Sequence, residues 1–533
     1  MVSGPFLLVT GHVRTQDPER PVAEAVAVAG SRIVAVGDLA SVRRRLPAGT
    51  PVLDAPFVAP GFVDSHVHVL WAGRAATRLA LSSAAGAAGA MSATGGAAGA
   101  SLSASGIAGA SPSAGGVVGA VARFAAAHPD REWIEADFHG DGPLPSAAEL
   151  ESAAPGVGVV IDIKGHDALV NETALRRAGI GADTPDPPGG RIERSGDGVA
   201  TGLLVEHPAV ALVRAVMPDA TDADRAEWIR VAQSELVRHG ITTAVDPAVD
   251  AGGLRAYSDL GKTGELTARI VAMPHGVASP AVHETSRLRL GPTKIFLDGG
   301  GSLGTALLST PWPGTDGYHG NQTVSRDELV AAVRAAPRGV GVHAVGDAAI
   351  DLVLDVIAAV RPAAPCHLIH AYLGPSAAAM TRARELGVAV SAHPALQWDF
   401  GAGLIGRLGH PRAAAANPLR SWLDAGVLVG GGSDAPGPPM SVLHGMWQAR
   451  TRRVHDVDLP LGPEQAITAA EAFDLFTAGA AAVAGFGSTG RIRVGDPADL
   501  VALTVDPLTP VADELRTGRV LATIVDGVVR YSE

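Results

Sequence analysis

"GVGVHAVGDAAIDLVLDVIAAV" (residues 339–360) is a short apolar strand that runs directly into an apolar helix. A strand with so little polar alternation belongs to a sheet buried on both faces, as parallel sheets are. The same unit recurs on either side of it. Further strands read at "ITTAVDP" (241–247), "ARIVAMP" (268–274), "TKIFLDG" (293–299), "CHLIHAYL" (366–373), "GVAVSAHPAL" (387–396) and "GVLVGGGSDAP" (426–436). Helical stretches such as "RDELVAAVRAA" and "SAAAMTRARELG" separate the later ones. Adding "GFVDSHVHVL" (61–70) makes eight, and eight such strands alternating with helices predict an α/β chain built on a parallel (β/α)8 barrel of the TIM type.

The two ends are written differently. "FLLVTGHVRT", "AVAVAGSRIVAVGD" and "PVLDAPFVAPGFVD" at the start, and "GRIRVGDPADLVALTVDP" and "RVLATIVDGVVRYSE" at the end, are short strands separated by turns. Some 170 residues separate the first barrel strand from the second (from about 70 to 240), too many for one crossover helix, so an inserted subdomain is expected there. Within it, residues 82–120 are Ala, Gly or Ser at all but seven of 39 positions, which reads as a flexible loop or linker.

With 533 residues the chain can bury a large core, and a net charge of −12 without a basic stripe argues against nucleic acid or an anionic membrane as a partner. Cys366 is the one cysteine, which rules out an internal disulfide and a thiolate metal cluster. The first residues carry only a four-residue apolar run, and no stretch of membrane-spanning length follows; a cytoplasmic enzyme is the expectation.

Chemistry concentrates at the C-terminal ends of the barrel strands, where barrel enzymes place it. His66 and His68 are two apart and leave one face of an extended segment. His343, His370 and Asp434 each end a strand of their own. Imidazole and carboxylate suit zinc and its neighbours. Strand parity sends His367, three residues before His370, to the opposite face and outside the barrel, and leaves Cys366 as buried filler. Lys294 is one of only three lysines, beside Lys164 and Lys262, in a chain with 42 basic residues. An unpaired ammonium in a barrel interior is costly and repels bound cations. Carboxylation by carbon dioxide would turn it into an anionic ligand, which arginine cannot become. The competing reading is an ion pair with Asp298, four residues on.

The motifs "APGFVDSHVH", "GHDALVNETALRRAGI", "TKIFLDGG", "HAVGDAAIDLVLDVI", "GGGSDAP" and "GRIRVGDPADLVAL" together resemble the amidohydrolase superfamily, in its amidohydrolase-3 group with the N-substituted formamide deformylase-like enzymes. The resemblance runs from about residue 5 to 530. It implies a composite β-sandwich from residues 1–56 and 488–533, a metal-bearing barrel from 57–74 and 225–487, and an insert over 75–224. It also implies two divalent ions per chain, zinc first with manganese or iron as alternatives. His66 and His68 would hold one ion and His343 and His370 the other. Lys294, as a carbamate, would bridge them, and Asp434 would bind the first ion and move the proton. Ile369 stands where the family commonly has an acidic residue.

The reaction so implied is hydrolysis of an amide, formamide or related C–N bond in a small molecule, by a hydroxide made available at neutral pH through the metal. His166, Asn171, Asp298, Tyr318 and His393 are the expected substrate contacts, and a homodimer is the assembly considered. The rivals are a one-metal deaminase or N-acyl-D-amino-acid deacylase-like enzyme and, more remotely, a barrel that binds a small ligand without catalysis.

Overall fold

A computed structural model describes residues 5–81, 114–138, 143–163, 166–277, 280–455, 457 and 459–533. The chain divides into two compact units, Met1–Leu70 with Ile229–Glu533, and Trp71–Trp228. Lys164 and residues 82–113 of the Ala/Gly/Ser tract lie outside the described residues.

In the first unit both termini enter one seven-stranded sheet. Its order is Val528–Ser532, Val520–Val525, Leu500–Leu503, Val52–Pro60, Phe6–Arg14, Val22–Ala29 and Arg32–Gly37. Phe6–Arg14 pairs in parallel with Val52–Pro60, while every other pair is antiparallel. Alternate residues such as Val9, Val26, Val58, Leu500 and Ile524 form its core.

The remaining strands of this unit are parallel and fall into two sheets. One orders Leu288–Leu290, Arg269–Pro274, Ile241–Val249 and Phe62–Asp64; the other orders Thr293–Phe296, Val340–Gly346, His367–Leu373, Ala389–Ala392 and Val429–Gly431. Val340–Gly346 and His367–Leu373 are buried at every position, as the near-absence of polar alternation demands. The strands thus alternate with helices in an α/β arrangement, with ladder pairing in two arcs. Several helices start on side-chain caps: Ser325 forms a capping box with Glu328, Ser376 caps Ala377–Glu385, and Asp250 caps Ala251–Thr263. Parallel register runs these strands in one direction, with Phe296, His343, Ile369 and Ser391 paired in a row across the sheet.

The second unit is a six-stranded sheet ordered Arg191–Arg194, Ala200–Val205, Asp167–Val170, Gly158–Ile163, Trp133–Phe138 and Leu79–Leu81. Residues 114–120, expected as linker, instead begin the helix Ala114–Ala127. Val117, Ala120 and Val121 lie on one side of it, three and four residues apart, and pack with Leu79, Ile134 and Phe138. Arg74, Arg78 and Arg214 surround Glu135, and Arg78 and Arg214 also pair with Asp162 at 2.7 and 2.5 Å.

Candidate metal centre

His66 and His68 lie just beyond the short strand Phe62–Asp64, in a segment that stays extended because both neighbours bind it. Ser65 N–H donates to Gly431 O and Val67 N–H to Val245 O, each at 2.9 Å. The Asp434 N–H donates to His66 O, and the His68 N–H to Ala435 O, also at 2.9 Å. Asp64 tightens the same junction: its Oδ1 accepts the N–H groups of His66 and Ser433 at 3.0 Å. Asp246, from Ile241–Val249, accepts from Val69 and Leu70 N–H at 3.1 and 3.3 Å and from the Tyr257 hydroxyl at 2.6 Å. It thereby caps the helix Val69–Ala76 that leaves His68. Burial raises both carboxyls, Asp64 and Asp246, to about 7.

The side chains converge on Asp434. Its Oδ1 is 3.4 Å from His66 Nε2 and 3.5 Å from His68 Nε2, and its Oδ2 is 4.0 Å from His370 Nδ1. All three separations exceed a charged hydrogen bond, at about 2.8 Å, and those to His66 and His68 match two donors on one ion: bonds of about 2.0–2.1 Å in a tetrahedron put donors about 3.4 Å apart. The rings of His66 and His370 are 5.5 Å apart, and those of His343 and His370 4.6 Å. His370 and Asp434 take left-handed backbone conformations (φ 73° and 59°), uncommon for such residues and concentrated where function fixes the backbone.

His66 and His370 are held well below the usual imidazole range, first by burial and then by nearby charge, from Lys294 for His66 and from His393 for His370. Burial pulls the Asp434 carboxyl up, but His370, His66, His68 and His393 outweigh it and hold it well below the carboxylate range. Neutral imidazoles around an ionised carboxylate are the protonation states a metal requires. Both ring nitrogens of His66 and of His393, Nδ1 of His370 and Nζ of Lys294 are buried without a hydrogen-bond partner. The donor atoms of His66, His393 and Asp434 all lie within 4.8 Å of one another. The residues present fit a divalent ion.

A profile of the amidohydrolase family matches residues 56–531. The chain belongs to the amidohydrolase family. It is 31% identical to an N-substituted formamide deformylase from Arthrobacter pascens, over 99% of this chain and 98% of that one. It is 28% identical to the putative amidohydrolase YtcJ from Bacillus subtilis (strain 168), over 98% of each. An uncharacterized metal-dependent hydrolase from Pyrococcus furiosus shares the fold, with a TM-score of 0.72 at 22% identity, over 95% of this chain and all of that one. The chain is therefore an enzyme of the metal-dependent class that hydrolyses carbon–nitrogen bonds.

Lys294 of this amidohydrolase is 1% exposed. Its Nζ lies 4.5 Å from the centroid of the Phe296 ring, and burial lowers it from 10.5 to about 7 despite the opposing pull of Asp434. The ammonium makes no hydrogen bond to Asp298. Asp298 faces the backbone instead. Its Oδ1 accepts from Val345 N–H at 2.9 Å, and its Oδ2 from Gly346 and Leu307 N–H at 2.9 and 3.0 Å. His343 Nε2 stands 3.7 Å from that Oδ1 and 3.4 Å from Gly299 O.

The parity argument about His367 fails. Lys294, Gly341 and His367 are register partners, so His367 shares the face of Lys294 and His343. It is buried, its pKa is lowered to about 4 by burial and the charge of Lys294, and it fills the space a side chain at Gly341 would take. His370 reaches the same side because positive φ at His370 and Ala371 breaks the alternation. Ile369 packs with Val245, Val271 and Met273, an apolar setting without place for an acidic side chain.

Tyr318 is 37% exposed, with its hydroxyl on Asn321 at 2.8 Å. In the second unit, His166 Nδ1 is 3.1 Å from Glu206 Oε2. Asn171 caps the helix Glu172–Arg177: Oδ1 accepts from Ala174 and Val159 N–H, and Nδ2 donates to Glu151 and Val157 O. Sequence reasoning missed Asp64, Asp246 and Tyr257. The first lies inside "DSHVH", but the others act from a neighbouring strand and helix that spacing cannot connect.

Proposed function

We propose that this amidohydrolase cleaves an amide, formamide or related C–N bond in a small molecule, giving a carboxylic acid and an amine. The observation that carries this reading is the convergence of His66, His68 and His370 on the Asp434 carboxylate with buried donors left unpaired. The 31% identity to a formamide deformylase supports the bond type.

In this reading the two parallel arcs are parts of one eight-stranded barrel, with Leu288–Leu290 and Thr293–Phe296 counted as one interrupted strand, joined where Ser65 N–H meets Gly431 O. His66, His68 and Asp434 would hold one divalent ion and His343 and His370 a second, zinc first with manganese or iron as alternatives. Lys294 would lie between them as the carbamate formed when its neutral amine adds to carbon dioxide and loses a proton. When bound, such ions supply a water acidic enough to ionise near neutral pH.

The rest is the work of the chain. Asp434, ionised and ringed by imidazoles, takes the proton of the attacking water at a carboxylate oxygen. Water oxygen then bonds to the carbonyl carbon, the C–N bond breaks, and Asp434 returns that proton to the departing nitrogen. Tyr318 is the candidate for substrate contact in the unit that bears the metal centre. The enzyme acts alone or as a homodimer in the cytoplasm, consistent with its net charge of −12; no helix among the described residues is long and apolar enough to cross a membrane.

Metal-stripped and zinc-reloaded protein should be compared on a panel of N-substituted formamides and simple amides. Metal-dependent release of amine is the expected result. A protein that binds metal and cleaves no member of the panel would sink this reading.

A further inference from the structure

We propose that His393 is itself a metal ligand, joining His66 and Asp434 around a divalent cation of the zinc type. The inference rests on the reading of the chain as a metal-dependent hydrolase and assigns a donor that the proposed ligand set does not include.

His393 directly follows the strand Ala389–Ala392, which is paired with Val429–Gly431, the strand that leads to Asp434. Gly432 N–H donates to Ala392 O at 2.9 Å, so these two strand ends leave the sheet side by side. The His393 ring is 1% exposed, and both its nitrogens lack a hydrogen-bond partner. An imidazole placed there for packing alone would leave two polar atoms buried for nothing.

Its neighbours are other ligand candidates: ring centroids lie 4.8 Å from His66 and 4.5 Å from His370, at interplanar angles of 70° and 49°. One donor each from His66, His393 and Asp434 lies within 4.8 Å of the others, and the His66–Asp434 edge is already 3.4 Å. A tetrahedral ion needs donor separations of about 3.4 Å, so a modest contraction about His393 closes the triangle.

The alternative is that His393 touches substrate only. Full-length protein, stripped of metal, should be titrated with zinc against a chromophoric chelator and with cobalt(II) by visible absorption, as wild type, H393Q and H393N. The expected result is a loss of at least about tenfold in affinity for the tightest zinc ion in a variant that retains the wild-type circular dichroism, with a changed cobalt band. Unchanged zinc affinity and cobalt spectrum, with KM alone raised, overturn the proposal. Should both variants fail to fold, zinc-edge diffraction from wild-type crystals decides: an ion about 2.1 Å from a His393 nitrogen supports it, and one held by other residues overturns it. Wild-type protein that binds no divalent ion overturns the proposed function as well, whereas failure confined to the His393 tests leaves that function standing.

Discussion

Asp434 and His66 are tied twice: the Asp434 N–H donates to the His66 carbonyl at 2.9 Å, and the Asp434 carboxylate stands 3.4 Å from His66 Nε2. The backbone bond fixes where the last parallel strand meets the first, and the side-chain spacing leaves room for an ion. Position and chemistry at this junction can therefore be altered separately.

Asp434→Asn should separate them. Asn tolerates the left-handed conformation of residue 434 better than any uncharged residue but glycine, so the fold and the bond to His66 O should survive. What disappears is the ionised acceptor. The expected fall in kcat is roughly 10²–10⁴-fold, with a thermal midpoint near that of wild type and metal content measured in parallel. A fall of less than about tenfold would show that the proton goes elsewhere.

Lys294 carries a pH prediction for the metal-stripped protein. Its folded pKa is about 7, while the unfolded chain keeps the proton up to 10.5. Between these values the unfolded state binds more protons, so this residue makes stability rise with pH, and its contribution is lost as pH falls through 7. Lys294→Met should therefore be more stable than wild type at pH 6, by up to roughly 4 kcal/mol, with the gap closing toward pH 10. Urea unfolding of both proteins at three pH values checks this. A gap that does not change with pH would contradict the neutral buried amine on which carbamate formation depends.

The strands that bear or lead to His66, His68, Lys294, His343, His370 and Asp434 are legible in sequence because polar residues are rare on strands buried on both faces, though Lys294, His343 and His370 lie within their strands and not at the ends. Spatial pairing is not legible. Nothing in "ITTAVDP" says that Asp246 caps a helix starting at Val69, and nothing in "CHLIHAYL" says that positive φ at His370 and Ala371 brings His370 onto the face that His367 shares with His343. Composition misleads over residues 114–120, where Val117 and Val121 suffice to dock a helix in a run otherwise of small residues. The two parallel arcs follow the expected order of strands, but hydrogen bonding splits them where Leu288–Leu290 gives way to Thr293–Phe296.

Asp298 latches the loop beside His343. Replacing it with alanine leaves the N–H groups of Leu307, Val345 and Gly346 without their acceptor. A loss of about 3 kcal/mol or more in urea unfolding is expected, and Asp298→Asn, which keeps one acceptor, should recover part of it. Unchanged stability with a raised KM would return Asp298 to the role of substrate contact.

Asn171 divides the same two roles in the second unit. Its Oδ1 takes two backbone N–H groups and its Nδ2 gives both hydrogens to Glu151 and Val157 O, so its capacity is spent inside the protein. Asn171→Ala removes a helix cap and orphans the Val159 and Ala174 N–H groups. The expected outcome is destabilisation of about 2 kcal/mol, read as a lowered thermal midpoint, with KM for any amide substrate unchanged at a temperature where the variant is folded. Asn171→Asp retains the acceptor but places a carboxylate 2.8 Å from Glu151, and should destabilise as well, more at pH 8 than at pH 5 because the repulsion needs both groups ionised. A variant that keeps its midpoint and loses affinity for substrate would instead place Asn171 in the binding site.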